Sequence, residues 1–196
     1  KRLEYRGYDS RGFAVQDDSV TSISKTTDLR SPPPHLDGNI GIGHTRWATT
    51  GKVTETNAHP HRHKEISVVH NGIIGSYKSL KEELLKLGHS FYSETDSEVI
   101  PHAISEWGIE KAIKKLGDDC GAFLAMDDSD PNKIWAYSDG APLLVSGRYI
   151  ASDINALSGY TDHAYRLIPK RLLVVKKDMK LQELRDMRLS SLDCEN

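Results

Sequence analysis

The chain has 196 residues, of which 37% are hydrophobic and 28% charged, and its formal net charge is −2. This length suits one soluble domain, and the charge gives no general electrostatic basis for nucleic-acid binding. No apolar run approaches the ~20 residues that cross a bilayer, and two cysteines, Cys120 and Cys194, are too few for a disulfide framework, which favours a reducing, cytoplasmic setting.

The first half of the chain predicts strands and loops. Residues 1–5 are typical of the last turn of a helix that stops at Arg6-Gly7. Strands are expected at 12–16, 20–25, 39–47 and 66–72, with a proline-rich loop at 31–35 and a long loop at 49–65. Long loops in compact domains are often functional, which directs attention to the last of these.

The second half predicts helices followed by strands. Apolar spacing and breaker residues indicate helices at 76–88, 95–107 and 109–117, the second opening on a capping pattern. Short apolar runs then predict strands at 121–126, 133–138, 142–147, 148–153, 165–169 and 172–177. The order predicts an α+β fold, with helices on an antiparallel sheet or pair of sheets. Residues 184–196 are interpreted as a polar tail or the start of a linker.

Four histidines fall in or just after the long loop, at positions 59, 61, 63 and 70. One interpretation is a metal site, which would make the chain a metal-binding module. The other is a loop with structural or exposed histidines. It is favoured because the cluster lacks the HExxH spacing of zinc-binding helices. No metal ligands are therefore assigned.

Three motifs suggest a binding site for a small molecule. HTRWATTG at 44–51 places an arginine, suited to carboxylate capture, beside a tryptophan. HNG at 70–72 could form an oxyanion hole, and ETDSE at 94–98 could bind an ammonium group. Each alone also suits an ordinary structural role: a surface arginine, an Asn-Gly turn and a helix cap.

Together, the motifs EYRGYDS, HTRWAT, NAHPH, VVHNGII and ETDSEVI resemble the glutaminase domain of the glutamine–fructose-6-phosphate amidotransferases, in order and approximate spacing. The resemblance covers residues 1–183. It implies an N-terminal-nucleophile fold, a four-layer αββα sandwich of antiparallel sheets. It also implies hydrolysis of L-glutamine, with ammonia passed to sugar-isomerase domains that carry a fructose 6-phosphate site. No cofactor, nucleic acid or membrane is implied.

The resemblance also implies roles for individual residues. Arg46 would bind the α-carboxylate of glutamine and Asp96 its α-ammonium, while Asn71 and the Gly72 N–H would form the oxyanion hole. Residues of the loop after Arg46 would cover the substrate, and the first of them would also gate the ammonia path: Trp47, Thr49 and Thr50. Supporting positions near the nucleophile would be Arg6, Gly7, Asp9 and His59.

The sequence departs from this family in three places. The family's nucleophile is an N-terminal cysteine whose own α-amine acts as base, so about twenty residues that carry it would precede Lys1. Thr50 stands where the family has a bridging histidine, and Arg11 where a small residue is usual. The alternative is a glutamine-binding or regulatory relative without catalytic activity.

Overall fold

The computed structural model describes residues 3–18, 20–161, 163–177, 179 and 190–192. A short 3₁₀ turn, Glu4–Arg6, precedes five strands: β1 (Ser10–Asp17), β2 (Val20–Thr26), β3 (Ile40–Arg46), β4 (His61–His63) and β5 (Ile66–Asn71). Three helices follow: α1 (Tyr77–Lys86), α2 (Val99–Trp107) and α3 (Ile109–Leu116). The remaining elements are β6 (Ala122–Asp127), β7 (Lys133–Ser138), β8 (Leu144–Ser146), β9 (Tyr149–Ala151), α4 (Ile154–Leu157), β10 (Ala164–Arg166), β11 (Leu173–Lys176) and β12 (Ser190–Leu192).

The strands form three sheets in which every pairing is antiparallel. Their orders are β2-β1-β3, β11-β7-β6-β5-β4 and β12-β10-β8-β9. The predicted α+β class with antiparallel sheets therefore agrees with the observed elements. β12 lies within the stretch interpreted as a tail, and most of the other residues of that stretch lie outside the described ones.

Helices α1–α3 cover one face of the five-stranded sheet. Their leucine, isoleucine and alanine side chains, among them Leu84, Ile100 and Leu116, pack on Val68 and Phe123 of the sheet to form the largest buried cluster. Leu84 and Ile100 have no exposed surface. Helices of eight to ten residues are marginal by themselves, so this packing is what holds them.

The opposite face of the five-stranded sheet packs against the three-stranded sheet. Ala14 and Ile42 of the smaller sheet meet Val69 and Met126 of the larger one. Helices and two sheets thus form three successive layers. Among the described residues, the 3₁₀ turn and the four-residue helix α4 lie beyond the three-stranded sheet.

The pleat of β5 decides which way its last residues point. Ile66 and Val68 belong to the helix-facing cluster, whereas Val69 belongs to the cluster between the sheets. Side chains alternate along a strand, so His70 turns towards the helices and Asn71 towards the space between the sheets.

Several predicted boundaries differ from the structure. The predicted loop 49–65 contains strand β4, and the region after β9 contains α4. Helix α2 begins at Val99 rather than at residue 95, and no side chain caps it. The acidic residues of the predicted cap instead accept hydrogen bonds from other segments: Glu98 from the Tyr92 and Ser93 amides, and Asp96 from the Ile74 amide.

Two residues of the RGYDSRG stretch have clear packing roles. Gly7 is needed for close approach, because a Cβ there would lie 2.3 Å from the Thr45 carbonyl oxygen. Its backbone is extended rather than left-handed, unlike the helix stop that the sequence predicts. Arg11, which departs from the family pattern, is buried and donates hydrogen bonds to the Leu29 and Ser31 carbonyls.

None of the helices among the described residues is long and apolar enough to span a lipid bilayer.

Candidate active site

A cleft of about 660 Å³ opens beside the end of β5. Asn71 lines it and is exposed there, as the strand pleat requires. Gly72 follows with φ of +154°, and a Cβ at this position would lie 2.7 Å from the Gly121 Cα. The chain therefore turns at a point where only glycine fits, directly after an amide side chain that faces the cleft.

His70 fixes the helix-facing side of the same turn. Its Nε2 lies 2.8 Å from the Cys120 carbonyl oxygen and its Nδ1 lies 2.8 Å from Ser97 Oγ. Because a carbonyl can only accept, Nε2 carries the proton and Nδ1 accepts from the serine hydroxyl. Burial lowers the pKa of His70, so the ring stays neutral and this tautomer is kept. The network therefore anchors the turn that carries Asn71.

Arg46 and Asp96 bring opposite charges behind the cleft. Both are 4% exposed. The guanidinium donates to the carbonyls of Thr50 and Lys52, and Asp96 Oδ2 accepts from the Ile74 N–H at 2.7 Å. Burial lowers the pKa of Arg46, while the charges of Asp9 and Asp96 oppose that shift. Arg46 retains donors beyond the two used here, since a guanidinium has five.

The loop after β3 is held down in this structure. Asn57, which is 2% exposed, donates to the Lys52 carbonyl and to Glu94 Oε2, and it accepts from the Glu94 N–H. The Lys52 N–H also donates to Glu94 Oε2 at 3.0 Å. Thr49 is exposed and Thr50 is half-buried, with its carbonyl on Arg46. The loop predicted to cover a substrate is thus tied to the segment that carries Asp96.

The remaining predicted residues lie at the mouth of the cleft or support it. Trp47 and Arg6 line the cleft, and the Trp47 ring, 58% exposed, lies 5.4 Å from the Tyr8 ring. Arg6 donates to the Ser152 carbonyl at 2.7 Å. Asp9 accepts from the Ala48 N–H at 2.7 Å and so fixes the turn after Arg46.

A row of histidine rings lies beneath the cleft. His59 stacks on His44 with ring centroids 4.4 Å apart, and its Nδ1 accepts from the His70 N–H. His61 Nε2 lies 3.0 Å from Thr95 Oγ1. Burial is the main cause that lowers the pKa of His44 and of His61 to about 3 and that of His59 well below its usual value. These rings are therefore neutral at pH 7 and act as hydrogen-bonding and stacking groups.

Acidification from pH 6.5 towards 4 is expected to destabilise the fold. His61 titrates at about 3 when folded against 6.5 for the free side chain, so the unfolded chain binds more protons in this range. Stability then falls as pH falls, by up to about 1.4 kcal/mol per pH unit for each such histidine. Urea denaturation at pH 7 and pH 5 measures the slope. His61→Gln should reduce it by about one proton, and an unchanged slope would contradict this assignment.

Several residues of the cleft carry no recognisable sequence signal. Phe123, Leu143 and Tyr149 line it but come from distant segments. Gly121 and the Cys120 carbonyl touch the Asn71-Gly72 turn only because β6 pairs with β5. Of the predicted residues, three line the cleft itself: Arg6, Trp47 and Asn71. The others are not among its lining residues: Gly7, Asp9, Arg46, Thr49, Thr50, His59, Gly72 and Asp96.

Comparison with known proteins identifies a family and relatives that agree with each other. A family model described as a glutamine amidotransferase domain matches residues 14–167. The glutamine–fructose-6-phosphate aminotransferase (isomerizing) of Clostridium acetobutylicum is 39% identical over 198 residues, covering 90% of this chain and 32% of the relative. That of Aquifex aeolicus is 43% identical over 180 residues, covering 82% and 30%. The chain thus spans about a third of the length of these relatives.

Solved structures share the fold at low sequence identity. Glutamine phosphoribosylpyrophosphate amidotransferase from B. subtilis superposes with a TM-score of 0.65 at 20% identity, covering 92% of this chain and 45% of that one. A glutamine aminotransferase class-II domain protein from Silicibacter pomeroyi gives 0.59 at 16% identity, covering 93% and 90%. The predicted N-terminal-nucleophile fold is confirmed, and so is the resemblance drawn from the motifs. The chain belongs to the glutamine amidotransferase domain family.

Proposed function

We propose that this domain hydrolyses L-glutamine to glutamate and delivers the ammonia to a sugar-isomerase domain that aminates fructose 6-phosphate, for glucosamine 6-phosphate synthesis. The observation that carries the proposal is the position of Asn71, an amide on the cleft wall followed by a glycine turn. Such donors stabilise the oxyanion that develops when an amide carbon is attacked. The names of the relatives support the choice of reaction.

The charged pair behind the cleft suits the two ends of free glutamine. Arg46 would take the α-carboxylate with its remaining N–H donors, and Asp96 would take the α-ammonium with its remaining lone pairs. Both side chains are buried, where charge recognition is stronger than in water. Trp47, Thr49 and Thr50 would cover the bound substrate. A site that demands both charges would exclude glutamine side chains within proteins.

The nucleophile is proposed to be a cysteine that precedes Lys1. Cys120 does not suit the role, since its side chain is 1% exposed and burial, together with the Asp139 charge, raises the pKa of its thiol to about 11. A nucleophilic thiol needs the opposite environment. Attack on the amide carbon would form a thioester and expel ammonia, after which water would release glutamate and regenerate the thiol.

The partner of this domain is proposed to be the sugar-isomerase part of a longer protein. The curated relatives are about three times as long as the matched region. Trp47, which lines the cleft, would gate ammonia transfer towards such a partner. A cytoplasmic setting remains a prediction from cysteine usage.

Glutamate release tests the proposed reaction. The 196-residue chain alone is expected to release none, whereas a version extended by the cysteine-led segment is expected to turn over glutamine. In the extended version, Cys120→Ser should keep its activity and replacement of the leading cysteine should abolish it. Turnover by the unextended chain would overturn the assignment of the nucleophile.

The second candidate is glutamine binding without catalysis, favoured by the buried charges of Arg46 and Asp96, which would bind the two ends of glutamine without needing a nucleophile. Isothermal titration of the unextended chain with glutamine separates the two. Binding that Arg46→Ala abolishes, combined with no turnover by the extended version, would favour this candidate. Turnover by the extended version would reject it.

A further inference from the structure

Three histidines meet outside the cleft, between an edge strand and a helix. His63 lies on β4, His89 follows α1, and His102 lies in α2, and one ring nitrogen of each lies within 4.8 Å of the others. None of the three lines the cleft. Of the four histidines that are close in sequence, only His63 takes part. The other three, His59, His61 and His70, make the hydrogen bonds described above.

Two of these rings point equivalent nitrogens at each other. His89 Nδ1 and His102 Nδ1 are 2.9 Å apart. Each outer nitrogen faces a carboxylate: His89 Nε2 lies 3.1 Å from Glu106, and His102 Nε2 lies 3.9 Å from Glu98. Glu98 also accepts hydrogen bonds from the Tyr92 and Ser93 amides and from the Ser93 hydroxyl.

The Glu106 carboxylate decides where the His89 proton lies. An ionised carboxylate can only accept, so His89 carries its proton on Nε2, 3.1 Å from Glu106, and presents the Nδ1 lone pair to His102. The two Nδ1 atoms are 2.9 Å apart, so this lone pair accepts either the Nδ1 proton of His102 or a cation held between the two rings. A metal ion can therefore replace a proton at the point where the two Nδ1 atoms converge.

We propose that His89, His102 and His63 bind a divalent transition-metal ion of the zinc type. Imidazole nitrogens are preferred ligands of such ions. Metal-bound histidines usually donate their outer N–H to a carboxylate, which is the relation that His89 has with Glu106, while Glu98 lies 3.9 Å from the outer nitrogen of His102. The proposal adds a metal site where the sequence motifs gave none.

His63 supplies the third ligand. Its Nε2 is buried without a hydrogen-bond partner among the described residues. The ring now stacks on His102 at a centroid distance of 3.8 Å and an angle of 23°. To coordinate, it turns out of this stack, and no hydrogen bond at Nε2 opposes the turn. The bound ion would tie edge strand β4 to α2.

Metal titration of the untagged 196-residue chain tests the site. After removal of metal with a chelator, Zn²⁺ is titrated at pH 7.5 by calorimetry, and Co²⁺ is followed by its visible absorption. One equivalent is expected to bind and to raise the Tm. Glu106→Gln should weaken binding by about 10–100-fold, as expected for loss of a carboxylate behind a ligand, and His63→Ala by at least as much.

His35→Ala is the matched control, since His35 is an exposed histidine whose ring nitrogen lies near Asp37 and far from this cluster in sequence. It should bind Zn²⁺ as the unaltered chain does. Melting curves without metal establish that each variant folds. If His63→Ala does not fold, Glu106→Gln, a change at a partly exposed residue, provides the test. Equal Zn²⁺ affinity in the unaltered chain and Glu106→Gln, or no stoichiometric binding, would overturn the proposal. The latter result would mean that a shared proton lies between the two Nδ1 atoms.

Discussion

Asn71→Ala is expected to lower kcat for glutamine hydrolysis by about 10²–10³-fold, which is the usual effect of losing one oxyanion-hole donor. The assay uses the chain extended by its cysteine-led segment. The reason lies in the pleat of β5, which turns Asn71 to the cleft while His70 anchors the other face. KM should change little, because the lost donor acts on charge that develops only in the transition state.

The stability of the Asn71→Ala variant separates catalysis from folding. Asn71 is exposed and its neighbour His70 holds the turn, so the urea midpoint should stay close to that of the unaltered chain. Asn71→Asp serves as a control of similar volume that replaces the donor by an acceptor, and it should be at least as slow. A rise in KM with kcat unchanged would instead assign Asn71 to substrate binding.

The sequence predicted the elements well wherever hydrophobic period and local breakers determine the structure. Strand β7 and the start of β5 fall where their apolar runs predict them, and α3 ends one residue before its predicted stop, at Leu116. The fold family was predicted from the short sequence motifs and not from hydrophobic periodicity. The layered arrangement depends on packing between sheets, which no local pattern encodes.

The errors arise where tertiary contacts outcompete local ones. The acidic residues before α2 were interpreted as a helix cap, yet the Asp96 and Glu98 carboxylates accept hydrogen bonds from the amides of Ile74, Tyr92 and Ser93. Those partners lie in segments whose proximity depends on the fold. Capping propensity is weak enough, typically about 1 kcal/mol, for such contacts to prevail.

The histidine cluster was likewise not predictable from local sequence, because tertiary packing forms it. His63, His89 and His102 come from strand β4, from the loop after α1 and from helix α2. Proximity in the chain instead groups His63 with His59, His61 and His70. Only the pairing of β4 at the sheet edge and the packing of α2 beside it bring the three rings together.

Gly121→Ala is expected to destabilise the fold by about 1–3 kcal/mol through crowding, the usual range for forcing an extra methyl into a packed site, an effect that Gly117→Ala lacks. The two glycines have positive φ, +76° and +77°. Both substitutions therefore carry backbone strain, and Gly117, whose ψ is −168°, lies in a region that essentially only glycine adopts. The environments differ: a Cβ at Gly121 would lie 2.3 Å from the Asn71 carbonyl oxygen, whereas one at Gly117 meets nothing within 4 Å.

The backbone at Gly121 cannot move aside without breaking other bonds. Its N–H donates to Asp139 Oδ2 at 2.7 Å, and its carbonyl accepts from the Asp139 N–H at 3.0 Å. The strain should therefore pass to the opposing Asn71-Gly72 turn, so Gly121→Ala in the extended chain should also lower kcat, while Gly117→Ala should not. Urea denaturation and glutamate release measure the two effects. An unchanged kcat in Gly121→Ala would mean that the turn tolerates displacement, and the close contact between Gly72 and Gly121 would then have no part in positioning Asn71.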